Sequence, residues 1–147
     1  MKKILYLFLV LPLIFSSCKK EEGCKDSLAS NYNADAETDD GSCTYSIVGT
    51  WTVTEYLQDG VNILALVPGA QLILGTSSYS IVATAGTISA GTYVLSGNTL
   101  TISADGGTDI FNVTKLDGSS MHATGTSTVN ADGTSDWTTS MSIKATK

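Results

Sequence analysis

From residue 46 to residue 147, apolar side chains alternate with Thr and Ser almost position by position, and short turn signals interrupt the alternation. Successive side chains on a β-strand point to opposite faces, so a period of two kept up over many segments prescribes strands with one apolar and one polar face. The apolar face reads Trp51, Val53; Leu72, Leu74; Tyr79, Ile81; Tyr93, Leu95; Leu100, Ile102; Phe111, Val113; Met121, Ala123; and Trp137, Met141, Ile143. The opposite face is Thr and Ser: Thr50, Thr52 and Thr54; Thr99, Thr101 and Ser103; Thr138, Ser140 and Ser142. Asp59-Gly60, Gly97-Asn98, Asp105-Gly106-Gly107, Asp117-Gly118 and Ala131-Asp132-Gly133 mark the turns. The spacing predicts eight strands, at 47–57, 71–75, 79–85, 91–96, 99–104, 109–116, 119–129 and 135–145. Val61–Val67, ended by Pro68-Gly69, fits either a short helix or an extra edge strand. Short connections make successive strands antiparallel neighbours. One dry face along eight sequential strands suits a small all-β meander barrel closed on itself, and a two-sheet β-sandwich is the rival architecture.

Charge narrows the function. The chain has 14 acidic residues against 8 Lys, no Arg and a net charge of −6. Nucleic acid, met chiefly by clustered Lys and Arg, is therefore not an expected partner. The single His, His122, falls on the outward parity of its strand and reads as surface. No nucleophile elbow, phosphate loop, dinucleotide fingerprint or His-Glu-x-x-His motif occurs, so the chain reads as a non-enzyme without a cofactor. The acids after residue 45 (Glu55, Asp59, Asp105, Asp109, Asp117, Asp132 and Asp136) fall mainly in or beside turns, where solvated carboxylates belong. Glu55 is the exception: it continues the parity of Trp51 and Val53 and points inward unless a bulge intervenes.

Residues 1–17 read as an address. Lys2 and Lys3 precede an apolar run, Ile4 to Phe15, that is too short for a transmembrane helix and fits a signal peptide. Ile14-Phe15-Ser16-Ser17-Cys18 resembles a bacterial lipobox, which implies cleavage before Cys18 and lipidation of its thiol. Several acyl chains suffice for stable membrane attachment. Lys19 stands where an inner-membrane retention Asp would be, and Lys19-Lys20-Glu21-Glu22 is similar to an export tag. The resemblance implies an outer-membrane lipoprotein facing the exterior, held by its lipid anchor.

With Cys18 lipidated, Cys24 and Cys43 remain as a pair in an oxidising compartment and are expected to form a disulfide. Closing a loop of that size is worth about 3 kcal/mol. Residues 18–45 thus form a linker and a disulfide-closed acidic segment. Its Gly23-Cys24, Asn31-Tyr32-Asn33 and Asp39-Asp40-Gly41-Ser42-Cys43 resemble a small module of secreted and surface bacterial proteins. Oxygen-bearing residues alternate here, which makes Asp35, Glu37 and Asp39 calcium candidates. The EF-hand pattern itself fails, because Asp40 and Ser46 stand where it needs Gly and Glu.

Val48-Gly49-Thr50-Trp51 resembles the Gly-x-Trp motif of lipocalins, and the stretch Gly91 to Ile102 is similar to the central hairpin of compact bacterial lipocalin-like lipoproteins. The resemblance covers residues 46–147 and implies a barrel whose Trp51 plugs one end. Many lipocalins set an Arg from the last strand against that Trp; this chain has none, and Lys144 is a loose substitute. The resemblance also implies a cup for a small apolar ligand. Glu55, Tyr79, Ala83, Tyr93, Met121, Ala123 and Met141 are its candidate lining, with Ala85 and Gly125 adding room. Trp51, Tyr79, Tyr93, Phe111 and Trp137 are bulky enough to fill a small barrel instead. A filled barrel would leave a protein-interaction or inhibitor module.

Overall fold

A computed structural model describes residues 20–104, 107–127 and 139–147. The signal segment 1–17, Cys18, Lys19, Asp105-Gly106, Trp137 and the Ala131-Asp132-Gly133 turn lie outside the described residues. Contacts divide the chain into two units, and residues 28–31 group with 44–147 rather than with the segment that encloses them in sequence.

In the first unit, β1 (Glu22–Gly23) pairs in parallel with β2 (Thr38–Asp39). The Cys24–Cys43 disulfide forms as expected. So polar a segment has little to bury beyond Cys24 and Ala36, so cross-linking and local hydrogen bonds hold it. Asn33 Oδ1 accepts from the Asp35 amide at 3.0 Å, Asp39 Oδ1 from Gly41 at 3.2 Å and Asp40 Oδ1 from Ser42 at 2.9 Å. Hydrogen bonds from the Ser42 side chain and then its amide hold the Asp40 carboxyl below the usual carboxylate range.

The second unit is the barrel. Its strands are β3 (Gly49–Gln58), β4 (Val61–Asn62), β5 (Gln71–Leu74), β6 (Ser78–Ala83), β7 (Gly86–Ser96), β8 (Thr99–Ala104), β9 (Gly107–Leu116), β10 (Ser120–Ser127) and β11 (Thr139–Thr146). Neighbours pair antiparallel in chain order from β5 to β11, and β3 pairs with both β5 and β11. Eight strands therefore close into a barrel, and the sandwich alternative is set aside. The short strand β4 pairs only with the end of β3 and stays outside the ring. The ambiguous segment 61–67 is both things at once, since β4 is followed by a 3₁₀ turn at Leu64–Leu66. Strand β7 begins at Gly86, five residues before the expected start at 91.

The inward set forms one core, with Trp51, Leu72, Leu74, Tyr79, Tyr93, Leu100, Phe111, Val113 and Met121 all buried. Trp51 is completely buried, and its Nε1 donates to the Ile47 carbonyl at 2.7 Å. A cation does cover this Trp, but it is Lys147 rather than Lys144, with Nζ 4.5 Å from the ring centroid. Gly49 makes room for it: φ there is +141°, and a Cβ would lie 3.1 Å from Lys147 Cε. The Gly-x-Trp spacing thus has a local reason, because the glycine lets the lysine stem reach the indole two residues on.

Acids at the turns behave as solvated caps. Asp59 Oδ1 accepts from the Ser140 amide at 2.8 Å. The Asp117 carboxylate accepts from the Ser120 hydroxyl and the Ser119 amide, which holds its pKa far below the ordinary value. A carboxyl depressed by folding stabilises the fold above its unfolded pKa of about 4 and loses that contribution as the pH falls below it. Asp117→Asn is therefore expected to lower stability by about 1 kcal/mol at pH 7, with the gap to wild type narrowing below pH ~4 in urea melts. Lys147→Ala should cost about 0.5–1 kcal/mol in the same assay, the size of an exposed cation–π contact.

Candidate functional site

Three irregularities decide what the barrel presents inside. On β3, Glu55 pairs with Lys144 and Val53 with Ala145, so Thr54 is an extra residue. On β9, Lys115 pairs with His122 and Val113 with Ala123, so Thr114 is extra. On β7, Ser89 pairs with Ile81 and Thr87 with Val82, so Ile88 is extra. A bulge shifts every later residue to the other face. Each bulged Thr donates its hydroxyl to the carbonyl of the short strand opposite, Thr54 to Lys144 O at 3.1 Å and Thr114 to His122 O at 3.2 Å.

The β3 bulge corrects the reading of Glu55, which turns outward. Its Oε1, shielded and without a hydrogen bond of good geometry, is met by the Lys144 ammonium at 2.7 Å. Tyr56 takes the inward place, and its hydroxyl donates to Met141 Sδ at 3.6 Å. The β9 bulge acts likewise on Lys115, which lies on the parity of Phe111 and Val113 yet stands exposed beside Asp117 at 3.1 Å.

Inside lies a cavity of about 160 Å³. Of the candidate residues, Tyr79, Met121, Ala123 and Met141 line it, whereas Glu55, Ala83 and Tyr93 do not. The Tyr93 hydroxyl instead donates to the Gly75 carbonyl at 2.6 Å. Nor does Gly125 supply the room: a Cβ there would strike the Ile110 carbonyl oxygen and come within 2.9 Å of Phe111 Cδ1. Ala85 lies beyond the end of β6. The remaining lining is mostly aliphatic, from Val53, Val67, Ala70, Leu72, Ile81, Ile88, Leu100, Ile102 and Ile143, together with Phe111.

The bulky aromatics are large enough to fill a barrel this small, and cross-strand pairing explains why two of them, Tyr79 and Phe111, do not. Tyr79 pairs directly with Gly91, and Phe111 with Gly125. In each pair the ring lies against the glycine of the neighbouring strand, 3.0 Å from a Cβ at Gly91 and 2.9 Å from one at Gly125. An aromatic covering a cross-strand glycine lies along the wall instead of across the lumen.

Polar groups at the cavity are few. The Tyr79 hydroxyl and Ser89 Oγ share a hydrogen bond of 2.8 Å. Asp109, which the sequence puts at the start of a strand beside a turn, lies further inside it. Strand β9 begins at Gly107, and Asp109 pairs with the buried Ile102 in unbroken register, which places it on the inward face. Its Oδ1 is shut off from solvent and finds no hydrogen-bond partner among the described residues. Burial, and secondarily the Asp109 charge, raises the Tyr56 pKa, so that phenol stays protonated. Parity with Phe111 and Val113 is the sequence signal that marks Asp109. Tyr56 and Ile88 carry none, because each owes its place to a bulge.

Elsewhere the polar groups are occupied. His122 Nδ1 contacts Thr114 Oγ1 at 2.9 Å and Nε2 contacts Ser142 Oγ at 3.0 Å, a ladder across three strands. Among the described residues no three of His, Cys, Asp and Glu converge to hold a metal, and Asp35, Glu37 and Asp39 are not gathered into a site. Ser89 meets a phenol rather than a base. No protein-family model matches this chain, and no curated protein matches it significantly.

An unpaired carboxylate oxygen among aliphatic side chains is costly. Replacing it with a hydrocarbon that fits the space should therefore help the fold. Asp109→Leu is expected to raise stability by about 1 kcal/mol or more, read as an upward shift of the thermal midpoint. A loss of stability would show that the carboxylate already has a partner.

Proposed function

We propose that this chain is a lipid-anchored outer-membrane lipoprotein facing the exterior, whose lipocalin-like barrel binds a small apolar ligand. The cavity is the observation that carries the reading: about 160 Å³, lined mainly by hydrocarbon, with only a few polar groups. A concave apolar site with sparse convergent polar groups is the usual form of a small-molecule pocket. Ordinary pockets run to roughly 300–1,000 Å³, so the ligand is smaller than a fatty acid or a haem. The lipobox resemblance at Ile14 to Cys18 supports the anchor, and the Lys19-Lys20-Glu21-Glu22 tag supports export. The stapled segment after the anchor then acts as a compact stalk. A space left in the barrel favours a carrier over an interaction or inhibitor module with a filled interior.

Native mass spectrometry of the whole chain, released from the membranes of a bacterial host in mild detergent, tests both halves. Retention of a small molecule is expected, and a bare mass under gentle release counts against the carrier. The mature N-terminus should begin at an acylated Cys18. Cys18→Ser should move the protein from the membrane to the soluble fraction, and continued membrane retention would refute the anchor.

A further inference from the structure

The barrel ejects charge from its lumen by a repeated device. Three charged residues lie on inward parity after a Thr: Thr54-Glu55, Thr114-Lys115 and Thr108-Asp109. At the first two, the Thr bulges and the charge turns outward to an opposite charge. At the third, β8 and β9 pair without a register shift from Gly107 to Asn112, and the carboxylate stays inside. Asp109 is also the only one of the three whose shielded oxygen meets no partner, among the described residues.

No cation of the barrel unit is free to serve it. The unit holds three lysines and no Arg. Lys115 is paired with Asp117, Lys144 with Glu55, and Lys147 lies over Trp51. Among the described residues the cavity lining includes no Lys, Arg or His, and Asp109 is its one formally charged member. Close by, Tyr56 spends its proton on Met141 Sδ, which leaves the phenol oxygen able only to accept. Asp109 is half-buried, and a carboxylate beside hydrocarbon is stabilised by a donor carrying positive charge, through a short charge-assisted hydrogen bond.

We infer that the cavity takes a small hydrophobic amine, whose ammonium group donates to the Asp109 carboxylate while its hydrocarbon body occupies the aliphatic lining. This rests on the carrier reading and specifies its ligand. The volume sets the size, since an apolar cavity of about 150 Å³ accommodates a single benzene ring. One ring or a short branched chain with an amino group therefore fits, and a carboxylate ligand is repelled.

Two of the three methionines, Met121 and Met141, line the cavity, so their methyl groups report on it directly. The whole chain, labelled with ¹³C at the methionine methyls and held in lipid nanodiscs, is titrated with benzylamine, benzyl alcohol and benzoate. Benzylamine is expected to shift the Met121 and Met141 signals with at least tenfold higher affinity than the alcohol, and benzoate to leave them unmoved. Asp109→Asn should bring benzylamine to within about twofold of the alcohol. Equal or tighter binding of the alcohol to the wild-type protein, or unchanged benzylamine affinity in the variant, overturns the amine inference and leaves the carrier standing. If none of the three probes shifts either signal up to its solubility limit, the carrier reading falls and takes the inference with it. The wild-type comparison stands even if Asp109→Asn fails to fold.

Discussion

Everything in the barrel unit depends on the pairing of β3 with β11, the first and last strands of the ring. Without it, the sheet would end in two long edges with unpaired amides and carbonyls, open to association with other chains. The pairing runs from Thr52 opposite Thr146 to Gln58 opposite Met141. It is reinforced at both ends: Asp59 holds the start of β11 through the Ser140 amide, and Lys147 crosses Trp51 just past its end. Closure also converts a row of amphipathic strands into a lumen, and only a lumen gives the inward parity any functional meaning.

Register is where closure and chemistry meet. Eight strands alone give an interior barely wide enough for side chains. This ring keeps space open by setting Tyr79 and Phe111 flat against Gly91 and Gly125. The same economy explains why Gly125 provides no room: it is already covered by Phe111 and by the Ile110 backbone. Space lies instead between aromatics pressed to the wall, and Val67 and Ala70 from the segment after β4 add to its lining.

The fold itself was legible because period-two alternation dominates the strands and turn residues separate them; β3, β5 and β6 each begin and end within two residues of the expected positions. The site was only partly legible, for a definite reason. Bulges move residues between faces, and the residues that bulge here are Thr54, Thr114 and Ile88, which resemble their neighbours in composition. In a chain where Thr already fills the outer face, no local mark separates a bulging Thr from an ordinary one. Glu55 and Tyr56 consequently exchange their expected roles. Asp109 is a different matter: its parity with Phe111 and Val113 is visible, and its place at the start of the expected strand, beside Asp105-Gly106-Gly107, reads as solvated. Lys147 was overlooked because its contact with Trp51 depends on the +141° backbone at Gly49, a conformation rather than a pattern.

The absence of Arg acquires a second meaning at this point. As a bulk property it argued against phosphate partners. Within the barrel, it also means that each positive charge is a single lysine, and the outer face uses all three against Asp117, Glu55 and Trp51. One oxygen of the carboxylate left on the inward face finds no partner among the described residues, while the two other inward-parity charges are removed by bulges. A stabilising alternative was structurally within reach, since Thr108 precedes Asp109 as Thr54 precedes Glu55 and Thr114 precedes Lys115. Regular pairing at Asp109 thus keeps a carboxylate on the inward face, where the proposed ligand would neutralise it, and functional sites are where a fold tolerates such a cost.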